Sequence, residues 1–326
     1  MPVKRILLKH FLHLKSAVNT VGARALVDVD NFFAQVRRDD VALNLYPQFI
    51  TYDGESKGYT FKYAPDVVGF CGWRPYPRKS PEIFTNKLKL KKALAKRDIQ
   101  MPAHSKKNDC LLENVIIKRQ VSSFGSTISG PFRSCNGKSL NGEIGEYFEQ
   151  FIRGDIVKIW FWDDKPVSYE RHKMPTVVGD GKSTILDLVK NSVAANHYQR
   201  TLETIHDVLL YEQKQMDTIL AEGESILIDF RYGSKLVPVK AIQDFQVDSK
   251  EDNPLNEQLH ALGNVLWKLL PQKIRQGTVY TVDAIVDDMQ QLWFLEANSN
   301  PIVHPYVYQP MISSYFSDDP ASETVK

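Results

Sequence analysis

YTVDAIVDDMQQLWFLEANSNPIVHP, Tyr280 to Pro305, is the stretch whose reading decides the fold. Apolar residues flank the polar patch Asp287-Asp288-Met289-Gln290-Gln291 on both sides, the pattern of two β-strands joined by a tight turn. With Met289 and Gln290 as the loop, Asp288 pairs with Gln291, and counting outward sets Asp283 opposite Glu296. Side chains alternate along a strand, so Glu296 and Asn298 share a face. Asp283, Glu296 and Asn298 then converge as two carboxylates and an amide oxygen, a hard donor set suited to Mg²⁺. The turn itself lacks the usual Asn-Gly or Asp-Gly signal. A hairpin with solvated polar residues at its end would have the same composition. Against that stands Trp293-Phe294-Leu295, which reads as a buried strand, where a carboxylate needs a cation or a donor beside it. Asn298-Ser299-Asn300-Pro301 then breaks the strand, as a loop at a site rim would.

Working outward, Val115 to Gly130 (VIIKRQVSSFGSTISG) reads as a strand delivering Lys118 into a Gly/Ser loop. Backbone amides of such a loop can cradle phosphate oxygens while the lysine supplies a point charge, although an ordinary hairpin has the same look. Asn86-Lys87-Leu88 opens a helix whose further cations, Lys89, Lys91, Lys92, Lys96 and Arg97, read mostly as a solvated face. In Val177 to Ile185 (VVGDGKSTI), Gly179-Asp180-Gly181 is a turn, and Ser183 or Thr184 caps a helix starting near Ile185.

The strand, turn and strand with Asp283, then Glu296-Ala297-Asn298-Ser299-Asn300-Pro301, resemble the closing motif of ATP-grasp ligases. The other stretches fall in the order that family has. By that resemblance Lys118, with Ser122, Ser123, Gly125 and Ser126, contacts ATP phosphates, as does Lys87. Gly145 to Lys158 (GEYFEQFIRGDIVK) resembles the linker that meets adenine and ribose, with Glu149, Phe151, Ile152 and Asp155 in the matching places. Ile228 to Ser234 (IDFRYGS) is similar to an arginine-bearing strand near the transferred phosphate, Arg231 being the match. The GDGKST string resembles the cyanophycin synthetase, glutathione synthetase and glutamate-adding branch. The chain departs from the family pattern in three places: at Arg119, where a Pro is usual, over Tyr232 to Lys235, where Asn and Gly-Gly are usual, and at Thr281, where D-alanine:D-alanine ligases carry an Arg.

The resemblance implies an α+β protein with the ATP-grasp fold. It would have an N-terminal α/β lobe over 1–85, a small lobe over 86–145 and a large lobe over 146–326, the last two sandwiching ATP. It also implies an ADP-forming carboxylate-amine ligase working through an acylphosphate, with Arg231 and Lys118 catalytic and Lys158 and Arg171 as weaker candidates. ATP and Mg²⁺, or Mn²⁺, are the implied cofactors, and Asp283, Glu296 and Asn298 the metal ligands. The acceptor is an amino acid, a peptide or a protein tail, and the oligomeric state is open, a homodimer among the alternatives. A small-molecule kinase on the same scaffold and a non-catalytic ATP-binding module are the alternatives.

Composition agrees with an intracellular enzyme. The 326 residues carry 41 basic and 39 acidic side chains, which argues against nucleic acid or membrane as the main partner. Three cysteines without Cys-x-x-Cys spacing point to a reducing cytoplasm. The N-terminal MPVKRILLKHFLHLK is too rich in charge for a secretory signal. It reads as a strand and helix of the first lobe, or as a basic amphipathic helix on a membrane or partner. Further strands are expected at Ala25 to Val29 and Gln48 to Tyr52, and helices at Ser183 to Leu220 and Pro254 to Leu270. Gly72 to Arg78 is a basic, Pro-rich loop that lines the substrate cleft or merely connects, and the polar tail from Ser317 to Lys326 reads as disordered.

Overall fold

The computed structural model describes residues 2–54, 57–121, 128–192, 198–234, 236–247 and 254–316. The polar tail of residues 317–326 lies outside these. The N-terminal segment is one helix, α1 (Pro2–Thr20), and contains no strand. His10, Leu14, Ala17 and Val18 are buried at positions i, i+4, i+7 and i+8, so the apolar stripe turns inward. Lys9 and Lys15 fall outside that stripe and are exposed, which is why a strand was the poorer reading.

α1 packs on an antiparallel sheet of β1 (Arg24–Val27), β2 (Ala34–Arg38), β3 (Val41–Tyr52), β4 (Lys57–Thr60) and β5 (Val67–Arg74). The strands run β1-β2-β3-β4, with β5 on the long β3. Two short helices follow, α2 (Glu82–Thr85) and α3 (Lys87–Leu94), the second capped by Asn86, whose side chain accepts from the Lys89 N–H. A second antiparallel sheet has the order β6-β9-β7-β8, formed by β6 (His104–Ser105), β7 (Glu113–Arg119), β8 (Ser129–Ser134) and β9 (Glu146–Gln150).

The third sheet is the largest scaffold of the site. Its strands β10 (Asp155–Trp162), β11 (Lys165–Lys173), β14 (Gln243–Gln246), β15 (Val279–Val286) and β16 (Leu292–Ser299) run β14-β11-β10-β15-β16. Between β11 and β14 in sequence come β12 (Thr176–Val178), α4 (Ile185–Ser192), α5 (Tyr198–Tyr211) and β13 (Ser225–Leu227), β12 pairing with β13. One face of the large sheet, with Val157, Ile159, Phe161, Val282, Ala284 and Phe294, buries Leu255, Leu259, Leu262 and Leu266 of α6 (Pro254–Leu269). α7 (Gln272–Arg275) leads into β15. Helices and antiparallel sheets together make the α+β class expected.

α8 (Tyr308–Phe316) returns the chain to its beginning. It packs against α1, and Val303, Val307, Tyr308, Met311, Ile312 and Phe316 complete one core with Leu14, Leu45, Phe49, Phe70 and Trp73. The approach is close at Gly72, where φ is +99° and an added Cβ would meet Val303 Cβ at 2.8 Å and the Tyr308 hydroxyl at 2.9 Å. Only glycine suits that position.

The β15–β16 hairpin differs from the two-residue turn expected. Asp287 N–H donates to Gln291 O, and Gln290 takes φ 61°. Asp287 Oδ1 accepts from the N–H groups of Met289 and Gln291, while Oδ2 accepts from Trp293 Nε1. A carboxylate thus organises the turn that Asn-Gly would otherwise mark. The longer loop shifts the register by one, pairing Ala284 with Phe294, and a bulge at Leu295 shifts it back. Asp283 consequently lies opposite Glu296, as counted from the sequence, although by a different route.

Candidate active site

The face of the large sheet away from α6 carries a row in register across four strands. Glu170 on β11 pairs with Lys158 on β10, Lys158 with Asp283 on β15, and Asp283 with Glu296 on β16. Adjacent strands are about 4.8 Å apart, so the row forms a continuous polar strip. Lys158 Nζ lies 2.7 Å from Asp283 Oδ1, and Asn298 Nδ2 donates to Asp283 Oδ2 at 2.9 Å.

The small sheet and α3 bring cations onto this strip. Lys87, at the first turn of α3, reaches Glu296 Oε2 at 3.0 Å. One turn later Lys91 reaches Glu149 Oε2 at 3.0 Å, with neither side chain exposed. Lys118 on β7 meets Glu149 Oε1 at 2.9 Å, and the Tyr147 hydroxyl donates to Glu149 Oε2 at 3.2 Å. Burial raises the Glu149 carboxyl, but Lys118 and Lys91 outweigh it and hold the group at about 2. Burial lowers Lys118, yet Glu149 and Glu296 outweigh it and leave its ammonium more firmly protonated than usual. Lys91 has the opposite balance, its burial exceeding the pull of Glu149 and lowering it.

Along this strip and the residues set on it, four ammonium groups (Lys87, Lys91, Lys118, Lys158) meet four carboxylates (Glu149, Glu170, Asp283, Glu296), an even balance of charge. Asp283 is raised by burial and by the Glu296 carboxylate beside it, whereas Glu296 is lowered, against burial, by Lys118 and Lys87. Two crowded carboxylates with an amide between strands form an all-oxygen donor set, since the Asn298 amide can present either end. The set fits a hard divalent cation. It holds two carboxylates and an amide, and among the described residues no group of three or more His, Cys, Asp or Glu side chains could hold a metal.

The structure therefore brings together Lys87, Lys118, Glu149, Asp283, Glu296 and Asn298, all selected from the sequence. Phe151 and Ile152 lie beside this cluster, packed with Ile116, Tyr211 and Phe230. The Phe151 N–H is taken by Asn114 O. Ser122, Ser123, Gly125 and Ser126 lie outside the described residues.

Of the other selected residues, Asp155 is directed elsewhere. Asp155 is bound by Arg171 Nε at 2.7 Å, and by strand alternation it lies on the α6 side of the sheet, opposite Lys158. Arg231 Nη1 contacts Asp229 Oδ1 at 3.2 Å. GDGKST is accounted for locally. Asp180 accepts from the N–H groups of Lys182 and Ser183, Thr184 exchanges hydrogen bonds with Asp187, and an added Cβ at Gly179 would come within 2.2 Å of Ala221 O.

Sequence reading missed Lys91, taken as part of a solvated face. The available signal was its stripe: Lys87, Leu90, Lys91 and Leu94 are all buried at helical spacing, while Lys89 is 60% exposed. Tyr232 was also undervalued; its hydroxyl donates to Glu170 and its ring lies 4.6 Å from Lys158 Nζ.

No protein-family model matches the sequence, and no curated protein matches it. Among solved structures, a bifunctional glutathione synthetase from Pasteurella multocida is similar over 94% of this chain and 43% of its own, at 16% identity and a TM-score of 0.43. The chain thus spans less than half the length of that enzyme. A D-alanine–D-alanine ligase from Bacillus anthracis is similar over 72% of this chain and 67% of its own, at 12% identity and a TM-score of 0.39. The ATP-grasp ligase PsnB, complexed with a precursor variant, Mg and ADP, is similar over 72% and 57%, at 11% identity and a TM-score of 0.35. At such values the likeness carries no argument about activity, and the reading of the site rests on its own residues: this chain is similar to ligases of the ATP-grasp kind.

Proposed function

We propose that this chain is an ATP-grasp enzyme, an ADP-forming carboxylate-amine ligase that takes ATP with Mg²⁺. The observation that carries the reading is that Lys87 of α3 meets Glu296 on the large sheet, beside Asp283 and Asn298, while Lys118 of the small sheet, held by Glu149, lies within electrostatic range of Glu296 and Asp283. Residues 86–145 and 146–326 would be the two lobes, with the base against Phe151 and Ile152 and the phosphates at the lysines.

Catalysis in this reading is positioning and charge neutralisation. A substrate carboxylate oxygen attacks the γ-phosphorus, the bond to the β-phosphate oxygen breaks, and ADP leaves. An amine then attacks the acyl carbon and phosphate leaves, forming the amide with loss of the amine proton. Glu149 fixes the ammonium of Lys118, whose raised proton affinity keeps it charged toward phosphate oxygens. Lys158 holds Asp283 in place for the cation. Bound at Asp283, Glu296 and Asn298, Mg²⁺ would supply charge stabilisation for the phosphoryl group.

Hydroxylamine tests the reaction class. With ATP, Mg²⁺ and a carboxylic acid that stimulates ADP release, found by screening amino acids and peptides, it should yield a hydroxamate. ADP release with neither hydroxamate nor amide would refute the ligase.

A further inference from the structure

Glu170 ends the polar row of the large sheet, and its surroundings differ from those of every other carboxylate there. Lys158 stands in register with both Glu170 and Asp283, yet its ammonium goes to Asp283. No cation lies within ion-pair distance of Glu170 among the described residues. Its one hydrogen-bond partner among them is the neutral hydroxyl of Tyr232, which donates to Oε2 at 3.1 Å. Oε1 is left open in a half-buried setting. Tyr232 reaches over the strip, its ring above Lys158, and is itself 43% exposed. The sheet thus offers one carboxylate without a cation, walled by an aromatic ring, at the rim of a cluster rich in ammonium groups.

We infer that Glu170 and Tyr232 form a binding site for a primary ammonium group, that of the acceptor amine; as a subsite of the ligase, this rests on the reading above. A carboxylate beside a tyrosine ring is the chemistry that recognises R–NH₃⁺, through a charge-assisted hydrogen bond and the ring face. The place is also right. Glu170 lies two strands from Asp283, about 10 Å between backbones, so an amine seated on Oε1, once its ammonium has given a proton to solvent, is within reach of an acyl group held over Asp283 and Lys158. The substrate class follows: the acceptor arrives with a cationic primary amine, such as the α-amino group of an amino acid or peptide.

The test uses glycinamide, a small primary ammonium with no carboxylate, titrated into the full chain with ADP and Mg²⁺ and followed by ligand-observed NMR. The wild type should bind it, Glu170→Gln should weaken binding at least about tenfold, and Glu170→Asp, which keeps the charge, should stay within about threefold. Lys89→Gln, on the exposed side of α3, should change nothing. Absence of binding to the wild type, or equal affinity in Glu170→Gln, would overturn the site. Should Glu170→Gln fail to fold, Tyr232→Phe serves instead: retained binding supports the carboxylate as the receptor, and complete loss refutes it. Hydroxylamine, neutral near pH 7.5, does not need the site, so Glu170→Gln should lose amide formation while keeping hydroxamate formation. A wild type that binds glycinamide through Glu170 yet gives no hydroxamate with any acid leaves the ammonium site standing and removes the ligase.

Discussion

Lys91 and Glu149 form an ion pair at 3.0 Å in which neither side chain touches solvent. Lys118 completes it from the other side of the same carboxylate. Removing Lys91 leaves Glu149 with the single ammonium of Lys118 and takes one charge-assisted partner from its buried Oε2, a loss of about 1.5–3 kcal/mol. Lys91→Met should therefore lower thermal stability and weaken ATP binding together. Lys89→Met, two residues away and 60% exposed, should stay within about 0.5 kcal/mol of the wild type. Equal effects in calorimetry and nucleotide titration would disprove the buried role of Lys91.

The depressed Glu149 carboxyl predicts a direction of acid sensitivity. Its folded value of about 2 lies below the usual 4.5, so the stability it contributes is fully present above about pH 4.5 and is lost as pH falls toward 2. Glu149→Gln removes that dependence. Urea midpoints measured between pH 5 and 2.5 should fall less steeply in the variant, from a lower starting point; parallel curves would contradict the assignment.

For the crowded pair, Asp283→Asn and Glu296→Gln should leave a folded chain whose turnover drops at least about 10²-fold, because charge stabilisation at the phosphoryl group is worth several kcal/mol. Circular dichroism and ADP release check the two halves of the statement. Full activity in either variant would exclude these residues as cation ligands.

Asp287 offers a test of the hairpin apart from the site. Asp287→Ala removes the acceptor of two backbone N–H groups and of the Trp293 indole. A loss of about 1–3 kcal/mol is expected, measured by urea unfolding. An unchanged midpoint would mean that the loop holds its shape without the carboxylate.

The Asp283–Glu296 pairing was legible because the bulge at Leu295 offsets the longer turn and returns the register to the one counted for a two-residue loop. Lys118 and Glu149 were also legible, being carried by adjacent strands of one small sheet. The turn was hidden because its organiser is a side chain reaching four residues along, and because the bulge at Leu295 cancels its register shift. Lys91 escaped notice because charge argues for solvent, and only a buried partner from another strand reverses that argument. Asp155 and Arg231 were chosen by motif, but their pairings with Arg171 and Asp229 depend on which sheet face and which neighbour the chain presents.

The contact between α1 and α8 sets an order of assembly. His10 and Tyr308 share a hydrogen bond across a separation of 298 residues, and the core under Trp73 and Phe70 stays open until Met311, Ile312 and Phe316 arrive. On a ribosome, a chain that has made its first sheet must carry that apolar surface unsealed through synthesis of nearly all the rest. That sheet therefore keeps an apolar face open until residues 303–316 reach it.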